Sequence, residues 1–201
     1  MKIGIILGTF DPIHMSHTLL ASTILNLKLV DKVYFIPTVQ NPWKVNHPIA
    51  SFDERCSMIK KSVEGINKIY PKSVFVEDIE GSLMPPYYSY KTLDILYEKY
   101  DGYKNDIYII GGADVINSVS GWLNFEKSIK NRFKFIGFTR GNEKITNTDV
   151  EYILINADLP DISSTLIRSL LSEGLCAYPY ISESIIKETT EIYKNCNDYT
   201  I

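Results

Sequence analysis

The sequence predicts an α/β fold built on a doubly wound parallel sheet, and three observations carry that expectation. Short apolar runs rich in Ile, Val, Phe and Tyr alternate along the chain with stretches of helical period. The runs lack the polar alternation of a half-exposed strand, as strands covered on both faces do. Strand-to-helix alternation persists from end to end, which implies βαβ units joined by right-handed crossovers.

The elements follow in order. Residues 2–7 (KIGIIL) read as a buried strand ending at Gly8, and His17 to Leu29 carries apolar residues at helical spacing. Lys32 to Pro37 is a second strand, stopped by its proline. Ser51-Phe52-Asp53-Glu54 matches a capping box, with its helix expected to run to about Gly65. Ser73 to Ile79 alternates like a strand, and Tyr88 to Tyr100 returns to helical period. Asp106 to Ile110 is a strand entering Gly111-Gly112, after which a helix is expected. Phe133 to Phe138 and Glu151 to Ile155 are the last strands, and helices near 164–173 and 181–195 end the chain. In sheets of this kind ligands bind at the carboxyl ends of the strands, near the point where the strand order reverses.

Composition narrows the function classes. The 201 residues favour one domain over 1–201, and 45% hydrophobic with 22% charged residues excludes wholesale disorder. A net charge of -3 with no basic stripe gives no field for a nucleic-acid backbone, so phosphate must be neutralised locally. Cys56, Cys176 and Cys196 are odd in number and far apart, which fits a reducing cytoplasm better than a disulfide framework. No apolar stretch is long enough to span a membrane, so a cytoplasmic protein with no membrane partner is expected. Homo-oligomerisation is left open.

Two runs carry the chemistry. In GTFDPIHMSH, residues 8–17, Gly8 permits close backbone approach after the first strand, followed by Thr9 and Phe10. His14 and His17 stand three apart at a helix start and share one face. Free N–H groups there make an anion site to which two imidazoles add donors; a chelating HxxH pair is the alternative, without an evident third ligand. In the second run, Ile162-Ser163-Ser164-Thr165-Leu166-Ile167-Arg168, the hydroxyl residues supply an N-cap and donors, and Arg168 can fork onto phosphate oxygens. The GGAD run, Gly111 to Asp114, permits close backbone approach and offers a carboxylate to a ribose hydroxyl. The first strand-to-helix turn has no GxGxxG, which excludes a dinucleotide-binding fingerprint.

GTFDPIHMSH resembles the (H/T)xGH signature of the nucleotidyltransferase superfamily, in the form typical of bacterial nicotinate-nucleotide adenylyltransferases. Ser16 stands where the family usually has Gly. ISSTLIR, from Ile162 to Arg168, resembles the ISSTxIR signature that clamps the triphosphate, and GGAD resembles the GAD element of the nucleotide site. Pro42-Trp43-Lys44 is similar to a segment that commonly reads PPHK, which places Lys44 near the ATP phosphates and Trp43 where His is usual. Arg55 falls where the family often has Arg, as a possible loop brace. Ser89, in a segment similar to PSYTxxTL, takes the place of a Thr that helps hold the nicotinate carboxylate; Thr92 is left to cap or pack within its helix. Trp122 matches a tryptophan that stacks on the pyridine ring.

The resemblance implies a Rossmann-like fold of nucleotidyltransferase type and adenylyl transfer from ATP to nicotinate mononucleotide. His14, His17, Lys44 and Arg168 are the implied catalytic groups. ATP falls to Gly8, Thr9, Phe10, His14, His17, Gly111, Asp114, Ile162, Ser163, Ser164 and Arg168, and the acceptor to Thr9, Phe10, Lys44, Ser89 and Trp122. Mg²⁺ arrives with ATP, and no protein metal site is expected. Nicotinamide mononucleotide or phosphopantetheine as acceptor, and a non-catalytic nucleotide sensor on the same fold, are the alternatives.

Overall fold

The computed structural model describes residues 1–43, 46–139, 144–157 and 159–196. Six strands form one sheet: β1 (Lys2–Gly8), β2 (Lys32–Pro37), β3 (Val74–Val76), β4 (Asp106–Gly112), β5 (Lys134–Phe138) and β6 (Tyr152–Ile155). Their order is β3-β2-β1-β4-β5-β6, and every neighbouring pair is parallel. The order reverses between β1 and β4, whose register sets Ile5 opposite Ile109. The crevice above that pair is where such a sheet takes a ligand.

Helices cover both faces: α1 (Met15–Asn26), α2 (Phe52–Ile69), α3 (Ser89–Lys99), α4 (Ala113–Ser118), α5 (Ser164–Ser172) and α6 (Ile186–Tyr193). The two-residue period of the strands divides the core. Ile6, Phe35, Ile110 and Ile136 pack with Leu20, Ile24, Met58, Ile59, Ile167 and Tyr193 on one side. Ile5, Ile36, Ile109 and Phe135 pack with Leu93, Leu96 and Ile116 on the other. Each such buried side chain contributes about 1.5–3 kcal/mol by its removal from water.

Several elements depart from the sequence reading at their ends. Helix α1 begins at Met15, two residues before His17, because His14 takes the N-cap position in extended conformation. Helix α2 keeps its capping box, the Ser51 Oγ accepting from the Glu54 N–H at 3.3 Å, but passes Gly65 and runs to Ile69. Ile66 extends the buried stripe of Met58, Ile59 and Val63, which outweighs one glycine, and the helix stops before Pro71. Strand β3 is only Val74–Val76, since Ile79–Ser82 turns into a short 3₁₀ helix. After β4, α4 lasts six residues and is followed by a 3₁₀ turn and a π-helical turn over Phe125–Ile129. The last helix begins at Ile186 after a 3₁₀ turn, and ends at Tyr193. No helix among the described residues is long and apolar enough to cross a membrane.

Candidate active site

The turn from β1 into α1 is built around Phe10. Its φ of 51° lies in the left-handed region, and its ring meets Phe35 and His17 edge-on at 5.4 and 5.0 Å. A Cβ on Gly8 would lie 2.8 Å from that ring, so the absent side chain of Gly8 makes room for Phe10. The His14 and His17 rings stack at 3.7 Å with 29° between planes, and the His14 backbone N–H donates to His17 Nδ1 at 3.3 Å. That bond puts the neutral-state proton of His17 on Nε2 and makes it a donor. Among the described residues no group of three His, Cys, Asp or Glu is placed to hold a metal ion.

Two buried residues brace the turn from behind. The Asp11 carboxylate accepts from the Ile49 and Ala50 N–H groups at 2.9 and 3.0 Å and from the Tyr193 hydroxyl at 2.6 Å. Tyr193, fully buried on α6, thereby ties the end of the chain to its beginning; burial first, then the Asp11 charge, pushes its phenol pKa up. Arg55 on α2 is 1% exposed and donates to the carbonyls of Thr9, Thr38, Val39 and Ala50 at 2.6–3.2 Å. Burial lowers its pKa and the Asp11 charge opposes that shift. Arg55 thus holds two loops together, as a brace.

Helix α5 brings in the second run. The Ser163 Oγ caps it, accepting from the Leu166 N–H at 3.1 Å, and the Ser164 hydroxyl donates to the Pro12 carbonyl at 2.8 Å. The Ser16 hydroxyl on α1 donates to the Pro160 carbonyl at 2.6 Å, a second stitch between the same two segments. Arg168 lies buried beneath, its guanidinium donating to the Asp11 carbonyl at 2.5 Å and to Thr165 Oγ1 at 3.2 Å.

A cavity of about 680 Å³ lies between these parts, lined by Thr9, Phe10, Asp11, His14, His17, Asp114, Ile162, Ser163, Ser164 and Arg168. It also takes in Asn41, Asn46 and His47. All three histidines of the chain therefore face one space. His47 carries no motif around it, and nothing in the sequence marks it. Gly8 and Gly111 do not line this cavity. At Gly111 a Cβ would meet Val115 at 2.5 Å, so that glycine lets α4 pack closely on β4. A larger cavity, about 740 Å³, opens among the amino ends of β4, β5 and β6. Two of its cations are already paired, Lys134 with Asp106 and Arg132 with Asp94, and it sits at the end of the sheet opposite both runs. The carboxyl-end cavity is the one with the N-termini of α1 and α5, and both motif-bearing runs, around it.

A second space, about 320 Å³, is lined by Thr38, Trp43, Tyr88, Ser89, Tyr90, Ser118 and Trp122, among others. Asn41 and Asp114 line both spaces. Its walls are supported by Glu80, almost wholly buried, whose carboxylate accepts from the Val39 N–H at 2.9 Å and from Thr92 Oγ1 at 2.8 Å. Thr92 therefore reaches out of its helix to a carboxylate, where capping or packing within the helix was the expectation. Lys44 lies outside the described residues. Asp11, Glu80 and Tyr193 escape sequence reasoning because each acts through a partner distant in the chain.

A family model described as cytidylyltransferase-like matches residues 5–170. The probable nicotinate-nucleotide adenylyltransferase of Hydrogenobaculum sp. is 36% identical over 188 residues, which cover 93% of this chain and 94% of that one. The nicotinate-nucleotide adenylyltransferase of Bacillus subtilis is 31% identical over 169 residues, 83% of this chain and 84% of its own. The solved structure of Plasmodium falciparum nicotinic acid mononucleotide adenylyltransferase complexed with NaAD matches with a TM-score of 0.76 at 25% identity. That match covers 95% of this chain and 98% of the other. The family match spans both motif-bearing turns, and the relatives align over most of their length. On these grounds the chain belongs to the cytidylyltransferase-like family and, within it, to the nicotinate-nucleotide adenylyltransferases.

Proposed function

We propose that this chain transfers the adenylyl group of ATP to nicotinate mononucleotide, forming deamido-NAD and pyrophosphate in NAD biosynthesis. The observation that carries this is the pair of adjoining spaces sharing Asn41 and Asp114. One is ringed by the N-termini of α1 and α5, three histidines and Arg168, which suits a triphosphate. The other is walled by tryptophan and tyrosine, which suits an aromatic base. The relatives named for this activity support the same assignment.

In the reaction a phosphate oxygen of the acceptor attacks the α-phosphorus of ATP. The bond to the β-phosphate bridging oxygen breaks, and pyrophosphate leaves with its electron pair. A phosphomonoester with second pKa of about 6 is mostly dianionic at neutral pH, so it needs no general base. What opposes the reaction is repulsion between two anions. The donors of His14, His17 and Arg168, with the two helix N-termini, lower that barrier by meeting phosphate charge in a fixed geometry. The histidines act here as donors, and neither is a nucleophile. Mg²⁺ enters as part of the ATP complex, held chiefly by phosphate oxygens as is usual for that ion. Asp114, on the wall shared by both spaces, is a carboxylate within the same site.

Pyrophosphate release tests the proposal, with ATP–Mg²⁺ and, separately, nicotinate mononucleotide, nicotinamide mononucleotide and phosphopantetheine. Turnover is expected to favour nicotinate mononucleotide by more than about tenfold in kcat/KM, which corresponds to about 1.4 kcal/mol of discrimination. A preference of that size for either other acceptor overturns the substrate, and no turnover with any of the three overturns the activity.

A further inference from the structure

The chain contains two tryptophans, and both line the same 320 Å³ space. They are held differently. Trp122 is partly buried and packs against the core beside α3 and α4. Trp43 is 79% exposed, the second most exposed large hydrophobic side chain among the described residues. Its backbone N–H donates to Asn41 Oδ1 at 2.9 Å, a local turn. Its ring meets Tyr88 at 6.1 Å and 46°, and Tyr88 in turn stacks on Tyr90 at 6.2 Å and 18°.

An indole this exposed contributes little to folding, since its apolar area stays in water. With one aromatic neighbour, most of its surface is turned to the cavity and to solvent. A flat ring bound between two indoles would remove that area from water and add offset stacking. The cavity has a size at the lower end of small-ligand sites, which run from about 300 Å³ upward. That suits a single aromatic ring better than a whole nucleotide, whose phosphate would lie beyond, towards Asn41 and Asp114.

We infer that Trp43 is a second aromatic wall of the acceptor site, stacking on the electron-poor ring of the mononucleotide and selecting for acceptors that carry such a ring. The inference rests on the assignment of this space to the acceptor.

Kinetics and fluorescence test it together. Trp43→Ala is expected to raise KM for nicotinate mononucleotide about tenfold, with kcat within about twofold, and Trp43→Tyr to restore most of the loss. Ribose 5-phosphate has the sugar and phosphate without the ring, and should inhibit wild type and Trp43→Ala equally. If Trp43→Ala weakens ribose 5-phosphate as much as the mononucleotide, Trp43 acts on the loop and the inference falls. Because there are two tryptophans, Trp122→Phe leaves Trp43 as the sole indole reporter, and Trp43→Phe leaves Trp122. Saturable quenching of both variants by nicotinate mononucleotide is expected. Quenching of Trp43→Phe but not of Trp122→Phe overturns the role of Trp43 and leaves the acceptor site standing. Quenching of neither, with turnover retained, overturns the acceptor assignment and the inference with it.

Discussion

His17 shows how much one side chain owes to its immediate surroundings. Its Nδ1 accepts from the His14 backbone, its ring lies against the His14 imidazole and the edge of Phe10, and Nε2 becomes the donor. His17→Ala removes that donor without emptying the core. It is expected to lower kcat at least tenfold, and up to the roughly 10²–10³ seen when single oxyanion donors are deleted, while the urea midpoint stays near wild type. An unchanged kcat would put the reacting phosphate elsewhere. Ser16 next to it has a different task. Its hydroxyl donates to the Pro160 carbonyl, a contact a glycine there could not make. Ser16→Ala should cost about 0.5–1.5 kcal/mol of stability, read from urea unfolding, because the Pro160 carbonyl keeps only the Ile162 N–H as a donor. No loss of stability would mean that the bond does not matter to the fold. The sequence showed both residues in one run but could not tell their tasks apart, since the Pro160 contact spans most of the chain.

At the level of elements, the loop that leaves β2 is fixed from two sides. Arg55 of α2 holds the carbonyls of Thr38 and Val39, and Glu80 holds the Val39 N–H together with Thr92 of α3. Burial raises the Glu80 pKa above its ordinary value of 4.5, against the lowering effect of Val39, Thr92 and Arg55. A carboxyl with a raised folded-state pKa binds its proton more tightly folded than unfolded, so its contribution is full below 4.5 and is lost as pH rises through the folded value. Glu80→Gln cannot ionise. Wild type should therefore lose stability relative to Glu80→Gln as pH rises above the ordinary value of 4.5 and through the raised folded value, measured as the gap between urea midpoints. A gap that does not move with pH would show that Glu80 stays in one protonation state. Strand centres and the α2 capping box were legible in sequence because local period and local chemistry specify them. The helix ends were not. Whether α2 stops at Gly65 depends on what Ile66 packs against, and whether α1 starts at Met15 depends on His14 adopting an extended cap.

Across the whole molecule, the larger carboxyl-end cavity joins the two ends of the chain. Its donors come from the turn after β1 and from α5, and Tyr193 of α6 locks them through Asp11. A ligand bound there stabilises contacts between the first and last elements of the fold. At about 100 times its Kd, ATP–Mg²⁺ adds about 2.7 kcal/mol to the native state. For a chain of this size that is a rise in Tm of about 5–11 °C. Arg168→Ala should shrink the rise at the same nucleotide concentration, and a wild-type Tm indifferent to ATP–Mg²⁺ would contradict nucleotide binding.

The sequence by itself determined the parallel α/β sheet, the family resemblance and the two runs that meet at its switch point, because periodicity and short-range motifs are local properties. Only the tertiary structure decided which residues share a space. It set His47 on the same cavity as His14 and His17, removed Gly8 and Gly111 from the cavity wall, and turned Trp43 and Trp122 onto one smaller cavity. Those outcomes depend on crossovers that bring residues far apart in the chain within a few ångströms of each other, and no spacing along the sequence encodes that distance.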